Sequence, residues 1–248
     1  MVANYDIGGE YMDLMPVTMD LKEELLDQLE IQEVFTIPHT DISVDETTVV
    51  SWIIMAALTI LAIILTRNLK VQGEIGKRQQ ILEICMDKMM NFFRGIMGEK
   101  GEKYMPWLMS TAIFIGASNM IGILGFKPPT KSMQVTAAMA ITSIVLVEVA
   151  GIKEKGLRGH LKAFSKPVAI VTPINILEII IKPLSLCMRL FGNVIGAFII
   201  MELLKSIIFF KIGVSLAFSF YFDLFDGFLQ AYIFVFLTAM YIQEAVEE

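Results

Sequence analysis

The chain has 248 residues, 55% of them hydrophobic, with a mean hydropathy of +0.65 and a formal net charge of −6. That is an integral membrane composition, and it argues against a water-soluble domain. The negative charge is local, because residues 1–48 hold twelve carboxylates, from Asp6 to Glu46, against the single Lys22.

Residues 1–48 read as a polar, acidic segment outside the membrane. They lack a basic stretch followed by a short apolar core, so no cleavable signal peptide is expected. Within them Asp20–Val34 fits a short amphipathic helix, with Asp20 capping and Glu23 three places on. A membrane domain is expected over 49–248. Val49–Leu65 is just long enough to span, with Trp52 near one end, where aromatic residues favour the interface. Arg67, Lys70, Lys77 and Arg78 follow at once.

Ile81–Met97 is apolar on most sides, with Glu83, Asp87 and Arg94 on one narrow face, which predicts an interfacial or re-entrant helix. Tyr104–Phe126 reads as a second span with Pro106 in its first turn, stopped by Pro128 and Pro129. Met133–Ile152 is a third span containing Glu148. The loop after it is basic, with Lys153, Lys155, Arg158, Lys162 and Lys166.

Thr172–Leu204 is entered through Pro173 and carries Pro183 inside it, a position that bends a helix. At full helical rise it runs roughly 50 Å, beyond a hydrocarbon core of about 30 Å, so it must tilt or bend. Val214–Val246 is of similar length. The fold class expected is therefore an all-α membrane protein with about five crossings and a long oblique C-terminal helical hairpin. Lysine and arginine counts in the short loops place the N-terminus outside and the C-terminus inside.

Polar residues line both long helices at helical spacing. Glu178, Lys182, Ser185, Arg189, Asn193 and Gly196 fall on one stripe of the first. Ser219, Asp223, Asp226 and Gln230 fall on one stripe of the last. Lipid satisfies no polar line, so each stripe must face protein, water or an ion path. Arg189 is the centre of the problem. A charge at mid-membrane costs roughly 2.5–3.5 kcal/mol on insertion scales, and guanidinium does not shed its proton.

Simpler roles exist for each of these residues. Asn193 and Gln230 suit interhelical hydrogen bonds. Glu178 and Lys182, four apart, suit a local ion pair or an inner exit path. Asp223 and Asp226 suit a channel or an interfacial turn. Cys85 and Cys187 have no metal-ligand spacing, and neither a metal nor a cofactor is expected. His39 and His160 read as surface residues. No phosphate loop or basic–aromatic alternation for nucleic acid is present.

The strings Pro183–Asn193, PLSLCMRLFGN, and Leu229–Tyr241, LQAYIFVFLTAMY, closely resemble subunit a of the F-type ATP synthases. Asn119 in SNMIG and Pro129–Thr136, PTKSMQVT, are similar to the family's second-span and loop motifs. The resemblance covers about residues 49–248. It implies that Arg189 is the essential arginine facing a rotating c-ring and that Gln230 is the glutamine of the last helix. It also implies a stator with two half-channels for protons or sodium ions. The implied partners are the c-ring, the b-subunit peripheral stalk and the lipid bilayer, in the cell's inner (plasma) membrane. Departures are Phe198, where some members have a glutamate nine places after the arginine, Asp223 for a histidine, and Ser132 for a loop aspartate. Two rival classes are a secondary transporter, which often shows internal repeats not seen here, and a structural anchor, which needs no converging polar stripes.

Overall fold

The computed structural model describes residues 33–36, 43–70, 76–124, 126–163, 172–207 and 220–247. Six α-helices dominate the described residues: α1 (Glu46–Thr66), α2 (Lys77–Met97), α3 (Met105–Met120), α4 (Met133–Ala163), α5 (Thr172–Ile207) and α6 (Gly227–Glu247). Strands β1 (Glu33–Thr36) and β2 (Ser43–Asp45) pair antiparallel just before α1, with Phe35 opposite Val44 and Thr36 opposite Ser43. The helix expected over Asp20–Val34 lies outside the described residues up to position 32. Its last two residues, Glu33 and Val34, are strand. The β-preferring run Val34-Phe35-Thr36, with Pro38 just beyond, accounts for strand at these two positions.

Among the described residues, four helices are long and apolar enough to cross a membrane: Glu46–Thr66, Met133–Gly159, Thr172–Met201 and Leu224–Glu247. The expected second span is shorter. Its α-helix ends at Met120 and continues as a 3-10 turn, Ile121–Leu124. At about 1.5 Å and 2.0 Å per residue, the two pieces together reach roughly 32 Å, enough to cross. Helix α2 is not among the candidate spans, in keeping with its charged face.

Helix α1 is apolar all round and mostly exposed, with Trp52, Ile53, Ile60, Leu61 and Ile63 turned outward. That surface needs hydrocarbon around it. Its hydroxyls bond back into their own helix, Ser51 to the Thr47 carbonyl at 2.9 Å and Thr59 to that of Met55 at 2.7 Å. The Arg78 guanidinium donates to the Ile64 and Leu65 carbonyls, and so closes the C-terminal end of α1, where a cation is favoured. Just before α3, Lys103 hydrogen-bonds Glu154 of α4, which raises the lysine above its ordinary pKa.

The core lies where α3, α4 and α6 meet, closed by the end of α2 and by one narrow face of α5. Ala140, Ala150, Ala231 and Ala239 are fully or almost fully buried there. Small side chains let helices approach where no hydrophobic effect drives them together. Among the described residues, α5 packs chiefly on α4 and α6 chiefly on α3 and α4. The two long helices thus share α4 as a wall. Gly156 turns α4 at φ 71°, a backbone open to glycine and strained for other residues.

Candidate functional site

Helix α5 has one packed side and one open side. Leu186, Cys187 and Leu190 are buried against the core. Leu184, Met188, Arg189, Gly192 and Asn193 are exposed. Arg189 makes no ion pair or hydrogen bond with any described residue. At about 1.5 Å per residue it lies roughly 26 Å from Thr172 and 18 Å from Met201, near the middle of the candidate span. A Cβ added at Gly192 or Gly196 would meet nothing within 4 Å. The small-residue face beside Arg189 is therefore not filled by this chain's own described helices.

Toward the start of α5 the polar stripe is tied down. Lys182 Nζ lies 2.9 Å from Glu244 Oε2 on α6 and 3.5 Å from Glu178 Oε2. The ammonium is also 5.1 Å from the Tyr241 ring centroid. Glu178 and Lys182 do form the local pair that their spacing allows. Glu244, which completes the cluster, went unread because it sits in a polar C-terminal run, QEAVEE, with no helical partner to mark it. Ser185 is half-buried between this cluster and Arg189.

The stripe on the last helix is altered. Phe220–Asp226 is a π-type turn, and the α-helix begins only at Gly227. The wider i→i+5 pairing breaks the 3.6-residue spacing on which Ser219, Asp223, Asp226 and Gln230 were aligned. Ser219 lies outside the described residues. Asp223 is in the π turn. Asp226 and Gln230 do meet, Gln230 Nε2 donating to Asp226 Oδ1 at 3.4 Å, with Gln230 buried.

A third polar group gathers beside this turn. Asn119 of α3, Thr130 and Ser132 are all buried, and Thr130 Oγ1 donates to Asn119 Oδ1 at 2.6 Å. Ser118 and Ser132 have buried hydroxyls with no partner among the described residues, groups that ordered water commonly satisfies. Lys131 is only 5% exposed, and its ammonium lies 3.6 Å from the Phe198 ring centroid on α5. In the sequence Lys131 stands in the short loop between the second and third expected spans. A lysine two places after Pro129, at the end of a short polar turn, gives no sign that it folds inward. Among the described residues, no group of three or more His, Cys, Asp or Glu could hold a metal ion.

A sequence profile for the family described as ATP synthase A chain matches residues 48–243. The chain is 34% identical over 206 residues to ATP synthase subunit a of Moorella thermoacetica, covering 83% of this chain and 92% of that protein. It is also 34% identical over 203 residues to ATP synthase subunit a 3 of Pelobacter propionicus, covering 80% and 86%. Against ATP synthase subunit a 2 of Acaryochloris marina the identity is 30% over 206 residues, covering 82% and 86%. With most of its length matched and its apolar helices in place, the chain is a multi-pass membrane protein that belongs to the ATP synthase A chain family.

Proposed function

We propose that this chain is the ion-translocating stator subunit of an F-type ATP synthase, a membrane subunit that performs no catalysis by itself. Two half-channels lead protons or sodium ions to and from a carboxylate on a c-ring. Arg189 releases the ion and blocks direct leak. The observation that carries this reading is the open face of α5. An arginine at mid-membrane depth, with no ion pair to any described residue, sits among small residues that nothing in the described chain fills. Such a charge is expensive unless a partner faces it. A ring of carboxylates passing that face supplies one.

The polar groups sit at different depths along the two helices. Glu178 is about 16 Å before Arg189 along α5, grouped with Lys182 and Glu244, and suits the inner exit. Asp223, Asp226 and Gln230 lie at the opposite end of the last helix and suit the outer half-channel. The 1–48 segment is then external and the C-terminus cytoplasmic, in a plasma membrane. A b-subunit peripheral stalk completes the stator.

Cross-linking tests the c-ring face. In a background lacking Cys85 and Cys187, cysteines at Met188 and Gly192 should cross-link to a small ring subunit, while cysteines at Leu186 and Leu190 should not. Equal yields at all four positions, or none at the exposed pair, would count against the reading.

Thiol labelling tests the orientation. A cysteine near Asp41 should react with an impermeant reagent from outside, and one at Glu247 only after the membrane is opened. The reverse pattern overturns the assignment of the half-channels as well.

A further inference from the structure

The π turn Phe220–Asp226 gives way to the α-helix at Gly227. π turns are rare and appear often at functional sites. Here the polar residues divide across the junction. Asp223 and Asp226 ride on the wide turn, and Gln230 rides on the α-helix. The pairing changes from i→i+5 to i→i+4 between them. Their relative rotation therefore depends on how the junction is held, and not on one continuous ladder.

The junction is held from outside its own helix. Asn119 of α3, 6% exposed, donates from Nδ2 to the Gly227 carbonyl at 3.2 Å. A carbonyl has two lone pairs, so Gly227 accepts this bond in addition to its place in the helix. The Asn119 Oδ1 is in turn fixed by the Thr130 hydroxyl at 2.6 Å. Gly227 permits the approach, because a Cβ there would stand 2.9 Å from Asn119 Cβ. One buried amide thus joins α3, the turn Pro129–Lys131 and the π-to-α junction.

We infer that Asn119 is a positioning residue for ion transfer. By pinning the Gly227 carbonyl it sets the rotation of the Asp223–Asp226 turn relative to Gln230, and so aims the outer carboxylates along the ion path. It acts through the helix and not on the ion. The inference rests on the assignment of Asp223 and Asp226 to the outer half-channel.

The test uses the whole complex in liposomes and reads passive ion flux against outside pH, with co-purification of the ring as the check on assembly. Asn119→Asp still accepts from Thr130 but cannot donate to Gly227. It should lower flux about tenfold, on the scale of one lost buried hydrogen bond, and displace the pH midpoint. Gly227→Ala should displace it too, and the double variant should be no worse than the poorer single, because both act on one contact. Thr130→Val, milder in shape, should move the midpoint the same way by less, and it carries the test if Asn119→Asp does not assemble. Assembled variants with an unmoved midpoint would reduce Asn119 to a packing role and overturn the inference. Asp223→Asn and Asp226→Asn in the same assay keep the two ideas apart. If neither changes the profile, the outer assignment has failed. If either does while the Asn119 and Thr130 variants do not, only the positioning role has failed.

Discussion

Asp223→Asn is expected to cut ion uptake from the outer side by roughly a hundredfold, the scale lost when a positioned proton-transfer group is removed, while the complex still assembles. The amide keeps the shape of the side chain and cannot titrate. Asp226→Asn should do less. Asp226 accepts a hydrogen bond from the buried Gln230, and an asparagine there can still accept through its own oxygen. The departure at Phe198 raises the demand on Asp223. Where some family members have a glutamate on the neighbouring helix, this chain presents a phenyl ring with the Lys131 ammonium against it. An Asp223→Asn complex that takes up ions normally across the pH range would remove Asp223 from the path.

Much of this architecture was legible because membrane physics leaves few choices. Apolar runs of about 20 residues must be helices, and Arg189 falls near the middle of the candidate span Thr172–Met201 by simple counting. What escaped reading depends on partners distant in sequence. Glu244 finds Lys182 only because α6 and α5 both lean on α4. The 3-10 ending of α3 and the π turn before α6 change helical pitch, and side-chain periodicity assumes a constant pitch. On α5 one α-helix runs from Thr172 to Ile207 with Pro183 inside it, so counting at 100° per residue applies along its length. On the last helix the pitch changes between Asp226 and Gly227, though Asp226 and Gln230 still meet across the change. The β1–β2 pair was hidden for another reason. Its strands are four and three residues long, too short for alternation to outweigh the charge pattern around them.

The deepest effect is expected at Arg189. Arg189→Ala should abolish ion-driven ATP synthesis and at the same time open a passive leak. Two jobs are assigned to one charge, and they give different symptoms. The first is ion release. A permanent cation beside a ring carboxylate favours its ionised form, so the bound ion leaves as the carboxylate passes. The second is a barrier. A field of about 100 mV supplies roughly 2.3 kcal/mol per charge moved, and an ion that crosses between the half-channels without turning the ring wastes it. Both jobs need the open setting of α5, in which no described carboxylate of this chain neutralises the guanidinium. Arg189→Lys separates the two. It keeps a charge but loses the broad planar fork, and a desolvated lysine drops its proton far more readily than guanidinium does. It should fail in coupling while leaking less than the alanine variant. The measurement is ion flux through reconstituted membrane sectors with and without the catalytic head, beside ATP synthesis under an imposed gradient. Full synthesis by an assembled Arg189→Ala complex would sink the mechanism. Lost synthesis without leak would sink the barrier alone, and would leave ion release as the work of this arginine.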